Sequence, residues 1–207
     1  MLVRVLGTAS LLIIAVAVLL TSVVKASAIE YNFTQKPSPA PTTNIPTVGV
    51  VYNVAYPGII LPDSPLWPLK VLRDRIWLSF TFNPVKKSEL YLLLADKRLA
   101  SAQVLYQKGK SELATSVLTK AEKYLEASVG EEKIAKEQGL DTSNLLHKLS
   151  LCSLKHREVI DQLVLYAPED AKPRIVETGN YPKRAYDEVK VRLSQIGVLA
   201  PKNPFTN

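Results

Sequence analysis

Three side chains in one predicted helix are of types that bind transition metals or act as nucleophiles: His147, Cys152 and His156. A helix turns by about 100° per residue, so His147 and His156, nine residues apart, lie on opposite sides and cannot share a metal. Cys152 and His156 are four residues apart and share a face, as paired metal ligands do. Because the chain has no further cysteine or histidine, the sequence predicts no metal site, and Cys152 and His156 remain its only candidate ligands.

The same pair also lacks the surroundings of a catalytic nucleophile. A thiol and an imidazole one turn apart can approach each other, but no sequence feature marks an oxyanion hole or an orienting carboxylate. The eight glycines form no phosphate-binding loop. We therefore predict no catalytic residue, no cofactor and no enzyme activity. His156 is expected to be a core or boundary imidazole with one partner, and Cys152 a buried, inert thiol.

The N-terminus has the pattern of an export signal. Arg4 supplies a positive start, residues 11–20 form an unbroken apolar run, and Ala26 and Ala28 suit cleavage after small side chains. We predict a signal peptide at 1–28. The alternative is an uncleaved anchor at 5–24, which would tether the chain to a membrane. Either interpretation places the rest of the chain outside the cytoplasm, secreted or membrane-anchored.

Charge and cysteine content narrow the class of partner. The net charge is +7, and the part after residue 28 keeps 24 basic against 19 acidic residues, a net +5. This mild excess suits weak attraction to anionic lipids or wall polymers. The basic residues alternate with acidic ones and form no nucleic-acid-binding module. The lone Cys152 cannot close an internal disulfide, so the fold must depend on its apolar core.

Composition divides the chain into a spacer, a helical domain and a tail. Residues 29–60 are predicted to be a proline-rich linker followed by an extended arm, in which 48–54 is either an edge strand or an arm lying on the helices. Residues 61–199 are predicted to form the helical domain. Residues 200–207 are expected to be a frayed tail.

The helical domain is predicted to be an all-α, antiparallel bundle of five or six helices. The first helix is expected to begin with Ser64 as cap and Pro65 as first residue. Its core face is expected to consist of Leu69, Leu72, Ile76 and Phe80.

Capping residues and glycine stops locate the later helices. They are predicted at about 83–108, 111–139, 141–166 and 180–197. Gly130 is expected either to kink the third helix or to end it. Pro168 can open a further turn or two, which Pro173 is expected to interrupt.

Three segments resemble an uncharacterised family of exported bacterial and archaeal proteins. They are LPDSPLWPLK at 61–70, FTFNPVKKSEL at 80–90 and LADKRL at 94–99, and the resemblance spans about 60–127. Asn83 stands where the family commonly has aspartate, which leaves the capping role intact. The resemblance implies a secreted or membrane-tethered helical domain and implies no activity.

These observations predict a non-enzymatic exported domain that acts as an interaction or cell-envelope structural module. Its partner is expected to be a protein or another envelope component and not a nucleic acid, with the contact surface on apolar area of the second or fourth helix. Binding of anionic lipid or polymer through a basic surface is a further hypothesis. The alternative from another class is an envelope hydrolase or metal-dependent protein that uses Cys152 and His156.

Overall fold

A computed structural model describes Tyr31, Phe33 and residues 49–206 of the chain. The predicted signal at 1–28, the alternative anchor at 5–24 and most of the proline-rich linker lie outside these residues. The described part contains six helices and no strand, which confirms the all-α prediction. The helices are α1 (Trp67–Phe80), α2 (Pro84–Gln107), α3 (Ser111–Glu137), α4 (Ser143–Tyr166), α5 (Lys172–Thr178) and α6 (Asn180–Gln195). None of them combines the length and the apolar character that a membrane span requires.

Helices α2 and α3 form an antiparallel hairpin that is the centre of the bundle. At one end, Ser88 Oγ donates to the Ser128 carbonyl at 2.7 Å and Ser128 Oγ donates to the Ser88 carbonyl at 2.7 Å. At the other end, Gly109 turns the chain with a φ of +72°, a conformation that glycine adopts without strain. Small side chains at the serine crossing let the two helices approach closely, which positions the residues between the two ends.

The core consists of two groups of buried side chains. One includes residues of the hairpin half that contains the Gly109 turn, and the other includes residues of the half that contains the serine crossing. The first includes Leu99, Leu105, Leu118, Ile160, Leu163 and Ile175. The second includes Leu92, Leu125, Leu146, Leu149, Val189 and Leu193. Helix α4 contributes to both groups and packs against α6, so it occupies the central position that its two apolar faces predict.

Several helix boundaries follow the predicted capping residues. Asn83 accepts a hydrogen bond from the Lys86 amide at 3.0 Å, and Pro84 is the first residue of α2. Asp141 accepts from the Ser143 amide at 3.0 Å ahead of α4. Helix α3 continues through Gly130 to Glu137, so Gly130 does not end it.

Two proline predictions were wrong. Helix α1 begins at Trp67, because Ser64 closes a turn onto the Leu61 carbonyl and Pro65 therefore precedes the helix. Pro173 does not interrupt a helix. It lies in the first turn of α5, where a missing N–H leaves no hydrogen bond unmade.

The predicted core face of α1 was also wrong. Leu69, Ile76 and Phe80 are 56%, 50% and 73% exposed, whereas Val71 and Asp74 are buried. Helix α1 has apolar residues on both sides, so periodicity alone does not determine which side faces the bundle. Asp74 decides the orientation, because its carboxylate is paired with the buried Arg98 of α2.

Residues 49–60 run along the helices as an extended arm without strand pairing. The Val50 amide donates to Glu158 Oε2 at 3.1 Å, and Lys70 Nζ donates to the Pro57 carbonyl at 2.7 Å. The C-terminal segment, expected to fray, also contacts the bundle, since the Tyr186 hydroxyl donates to the Pro201 carbonyl. Both ends of the described chain are therefore joined to the helices by side-chain hydrogen bonds.

Candidate functional site

Cys152 and His156 lie one turn apart on α4 and have no exposed surface. His156 has two partners rather than the one predicted. Its Nδ1 lies 2.8 Å from Glu122 Oε1 of α3, and its Nε2 lies 3.1 Å from Asp96 Oδ1 of α2. His147 is exposed on the other side of α4, as the nine-residue separation requires. The imidazole therefore bridges the two helices of the central hairpin.

Asp96 forms hydrogen bonds with three side chains, one from the arm and two from α4. Besides His156, Tyr52 of the arm donates its hydroxyl to Asp96 Oδ2 at 2.9 Å, and Cys152 Sγ donates to Asp96 Oδ1 at 3.4 Å. We call Tyr52, Asp96, Glu122, Cys152 and His156 the histidine network. It connects α2, α3, α4 and the arm at one buried point.

The side chains around His156 favour its protonated form. Burial alone would lower the pKa of His156, but Cys152, Glu122 and the hydrogen bonds with Asp96 and Cys152 outweigh burial and raise this pKa well above its usual value. Burial raises the pKa of the Cys152 thiol to about 11, so the thiol is neutral at pH 7.

Sequence reasoning missed Asp96 and Glu122. The spacing of their neighbours holds a signal that could have found them. Asp96 is four residues after Leu92 and three before Leu99, and Glu122 stands in the same relation to two core leucines of α3, Leu118 and Leu125. A carboxylate at a core position of a helix is expected to find a buried partner.

The network contains a set of atoms that could hold a metal ion. One donor atom from each of Asp96, Cys152 and His156 lies within 4.8 Å of the other two. Oxygen, sulfur and nitrogen donors of this kind suit Zn²⁺. Glu122 on Nδ1 reproduces the carboxylate–histidine pairing that orients zinc-bound imidazoles. The three residues are buried, so the arrangement can hold a proton or an ion but offers no open face to a substrate.

A second polar centre lies between α1, α2 and α3. It is a cavity of about 170 Å³ that we call the basic cavity. Its lining residues are Pro62, Trp67, Val71, Arg75, Arg98, Leu113, Ser116, Val117, Lys120 and Tyr124. Three of these side chains are cationic, two are aromatic, and none of the described residues that line the cavity is acidic.

Aromatic rings hold the cations of this cavity in place. The Arg98 guanidinium carbon lies 4.4 Å from the Tyr124 ring centre and 5.7 Å from that of Trp67. Lys120 Nζ lies 5.3 Å from the Tyr124 ring centre. Burial lowers the pKa of Lys120, and the nearby Arg98 and Arg75 guanidinium groups lower it further. Like charges have therefore been brought together where water screens them only in part.

Helix α1 and the residues directly before and after it carry several large, exposed apolar side chains. Leu69, Ile76 and Phe80 repeat along one side of the helix, and Leu66, Trp77 and Phe82 extend the same surface. We call these six residues the outer face of α1. The sequence predicted a contact surface on the second or fourth helix instead, but α2 and α4 are apolar because other helices cover them.

No curated protein and no solved structure matches the chain. Residues 59–169, more than half of the chain, match the family described as Domain of unknown function (DUF5667). The matched region contains α1 to α4, the basic cavity and, except for Tyr52, the histidine network. The chain therefore belongs to this family, whose function is unknown.

Proposed function

We propose that this chain is a non-enzymatic, exported interaction domain that lies against an anionic membrane surface through the outer face of α1. The observation that carries the proposal is the exposure of Leu69, Ile76 and Phe80, which occupy one side of a helix and face away from the bundle. A contiguous exposed apolar surface of this kind marks a contact site for a partner or a membrane.

The charges on α1 favour a lipid surface over an apolar protein partner. Arg73 is 59% exposed and pairs with Asp74, while Lys70 and Arg75 of the same helix are only partly exposed. The one acidic residue of α1, Asp74, is turned inward and is 1% exposed. Helices that lie in a membrane interface combine Trp, Phe and Leu on one side with basic residues beside them. Each exposed basic side chain near an anionic surface adds to the attraction.

Two further observations support the other two parts of the proposal, which are export and a non-enzymatic role. The pattern at 1–28 predicts export or anchoring, and either would bring the domain close to a membrane or leave it outside the cytoplasm. Cys152 and His156, the chain's candidates for chemistry, have no exposed surface through which to reach a substrate. We therefore assign the outer face of α1 to contact and the histidine network to stability.

Lipid contact at α1 can be measured in the full chain, because the only tryptophans are Trp67 and Trp77 and the apolar segment at 5–24 has none. In a Trp67→Phe variant, Trp77 is the sole tryptophan. We expect brominated lipids in vesicles of phosphatidylcholine and phosphatidylglycerol to quench Trp77 and shift its emission to the blue.

The matched control is Trp77→Phe, in which the sole tryptophan is Trp67, a residue that lines the basic cavity. Its emission should be quenched much less than that of Trp77 by the same lipids. Vesicle-bound protein in which Trp77 stays unquenched would disprove contact between α1 and lipid, even if the segment at 5–24 holds the chain on the vesicle.

The proximity of Asp96, Cys152 and His156 favours a second candidate function, binding of Zn²⁺ or a similar ion. Cobalt is a useful probe, because a thiolate ligand gives Co²⁺ an intense absorption band in the near ultraviolet. We expect this band in the full chain and its loss in Cys152→Ser, while His147→Gln, which changes the exposed histidine, keeps it. An identical spectrum with and without the thiol would exclude metal binding at this point.

A further inference from the structure

We propose that the basic cavity binds a phosphate monoester carried on an aromatic or apolar stem. This site is separate from the outer face of α1, and the proposal does not depend on membrane contact. The inference rests on three properties of the cavity: a positive charge that Asp74 neutralises only in part, aromatic walls and a small, defined volume.

The positive charge in the cavity exceeds what the protein neutralises. In the described part of the chain, neither Arg75 nor Lys120 forms an ion pair with a carboxylate. Arg98 is buried, and its contacts with Asp74 Oδ2 and the Leu94 carbonyl are both long, at 3.5 Å. A guanidinium has five N–H donors, and leaving them without close acceptors in a buried position is costly. A bound anion would supply those acceptors.

The walls of the cavity determine what the anion is attached to. Trp67 and Tyr124 supply two aromatic rings, and Val71 and Val117 complete an apolar side. A volume of about 170 Å³ is close to that of an engineered cavity that holds benzene, at about 150 Å³. The space therefore fits a small ring or a short alkyl stem with its charged group among the cations.

The number of cations favours phosphate over carboxylate. A phosphate monoester carries a charge of about −1.5 to −2 at pH 7 and three acceptor oxygens. Arg98 can engage two oxygens with its planar fork, while Lys120 and Arg75 act as further charges. A carboxylate has one charge and two oxygens, which would leave part of this positive charge unmatched.

Isothermal calorimetry on the full chain tests the proposal with three matched probes. Phenyl phosphate has both the ring and the charge, phenol has only the ring, and inorganic phosphate has only the charge. We expect phenyl phosphate to bind at least about tenfold more tightly than either of the others, since each part contributes contacts that the other lacks. Equal binding of phenol and phenyl phosphate would overturn the proposal.

Variants locate the binding. Lys120→Gln should weaken phenyl phosphate binding by about tenfold or more, because it removes a charge-assisted contact. Lys123→Gln changes an exposed lysine of the same helix that does not line the cavity, and it should leave the affinity unchanged. Arg98→Lys keeps the charge and loses the fork, and circular dichroism shows whether this buried variant still folds. Affinity unaffected by Lys120→Gln would also overturn the proposal.

A further comparison identifies the source of the phosphate group. Dihexanoyl phosphatidic acid presents the same monoester on a lipid. Binding of both compounds, each weakened by Lys120→Gln, assigns the site to soluble phosphate esters as well as lipids. Binding of the phosphatidic acid alone assigns it to a lipid headgroup. Binding of neither refutes the site, whereas the lipid quenching of Trp77 can succeed or fail independently.

Discussion

His156 lies between two carboxylates that belong to different helices, and this position couples its proton to the stability of the fold. If the imidazolium lost one proton, either Nδ1 or Nε2 would face a carboxylate oxygen with no hydrogen between the two atoms. Such an unmade hydrogen bond is costly in a buried site. Protonated, the imidazole donates to Glu122 and Asp96 together. The ring therefore stabilises the contact between α2, α3 and α4 most when it is charged and donates from both nitrogens.

The first prediction is a loss of stability at alkaline pH. The pKa of His156 is raised in the folded chain above its unfolded value of about 6.5, so its stabilisation is complete below about pH 6.5 and is lost as the pH rises through the folded pKa. We expect the unfolding temperature of the metal-free full chain to fall as the pH rises from about 6.5 through the folded-state pKa of His156. Glu122→Gln should move this fall to lower pH, because it removes one carboxylate that favours the proton. Thermal melts by circular dichroism measure both.

A variant without the imidazole provides the control for this prediction. His156→Gln removes the titrating group, so the corresponding fall in stability should be absent from its pH profile. An unchanged profile in that variant would assign the pH dependence to other groups and contradict the role given to His156.

At the residue scale, the sequence predicted the burial of Cys152 and His156 but not what surrounds them. Helical spacing gave their shared face, because a 3.6-residue repeat is a local property. It could not give Asp96 or Glu122 as partners, since those contacts join residues 60 and 34 positions away and depend on how three helices pack. Tyr52 was still harder to predict, because an arm without a repeating pattern brings it there.

At the element scale, polar contacts between helices fix their packing in addition to the apolar faces. Helix α6 is the clearest case. Arg192 reaches across to α3, where it pairs with the buried Glu132 and donates to the Val129 carbonyl at 3.2 Å. Glu132 has no exposed surface, so its charge depends on this partner.

The second prediction follows from that dependence. Arg192→Ala should lower the free energy of unfolding by about 3–5 kcal/mol, because it leaves an unpaired charge buried. Arg184→Ala is the matched control on the same helix, since Arg184 and Glu126 are 3.6 Å apart and both largely exposed. That pair should contribute nothing measurable. Urea denaturation compares the two variants, and equal losses would contradict the importance of the buried pair.

The third prediction concerns the outer face of α1. Ile76→Ser combined with Phe80→Ser should leave the free energy of unfolding within about 0.5 kcal/mol of the parent, because both side chains are at least half exposed. Leu99→Ala, at a fully buried position of α2, should cost about 2–5 kcal/mol. The same serine variant, combined with Trp67→Phe, should reduce the quenching of Trp77 by brominated lipid. A large loss of stability from the serine pair would show that the outer face belongs to the core.

Helix boundaries were more predictable than helix orientation. Asn83 with Pro84, and the glycines at 109 and 139, act through local backbone chemistry, so the sequence located those boundaries to within a few residues. The orientation of α1 depends on an ion pair between Asp74 and Arg98, which are 24 residues apart. Apolar periodicity cannot choose between two apolar sides of one helix.

At the scale of the whole molecule, the arm at 49–60 and the C-terminal segment contact the helices of the bundle through hydrogen bonds. The arm reaches three different helices, through Val50 to Glu158 of α4, Tyr52 to Asp96 of α2, and Lys70 of α1 to Pro57. In each of these hydrogen bonds, at least one of the two partners is a side chain. The polar links between the bundle and the arm are therefore a few separate side-chain hydrogen bonds.

The fourth prediction measures the link between the arm and the histidine network. Tyr52→Phe keeps the ring and removes the hydroxyl that donates to Asp96, so it should cost about 1.5–3 kcal/mol of unfolding free energy. Tyr56→Phe changes an exposed tyrosine of the same arm and should have no effect. Chemical denaturation of both variants provides the comparison. Equal stability of the two variants would mean that the arm does not support the histidine network.

Attachment by separate side-chain bonds has a consequence for how the arm exchanges its amide hydrogens. A strand in a sheet protects its peptide groups together, whereas here the Val50 amide is held by Glu158 and the Tyr52 amide by the Val50 carbonyl. In deuterated solvent, most peptide N–H groups of the arm should take up the isotope quickly, while α2 and α3 stay protected until the whole domain opens. The arm can then detach bond by bond and leave a folded helical body behind.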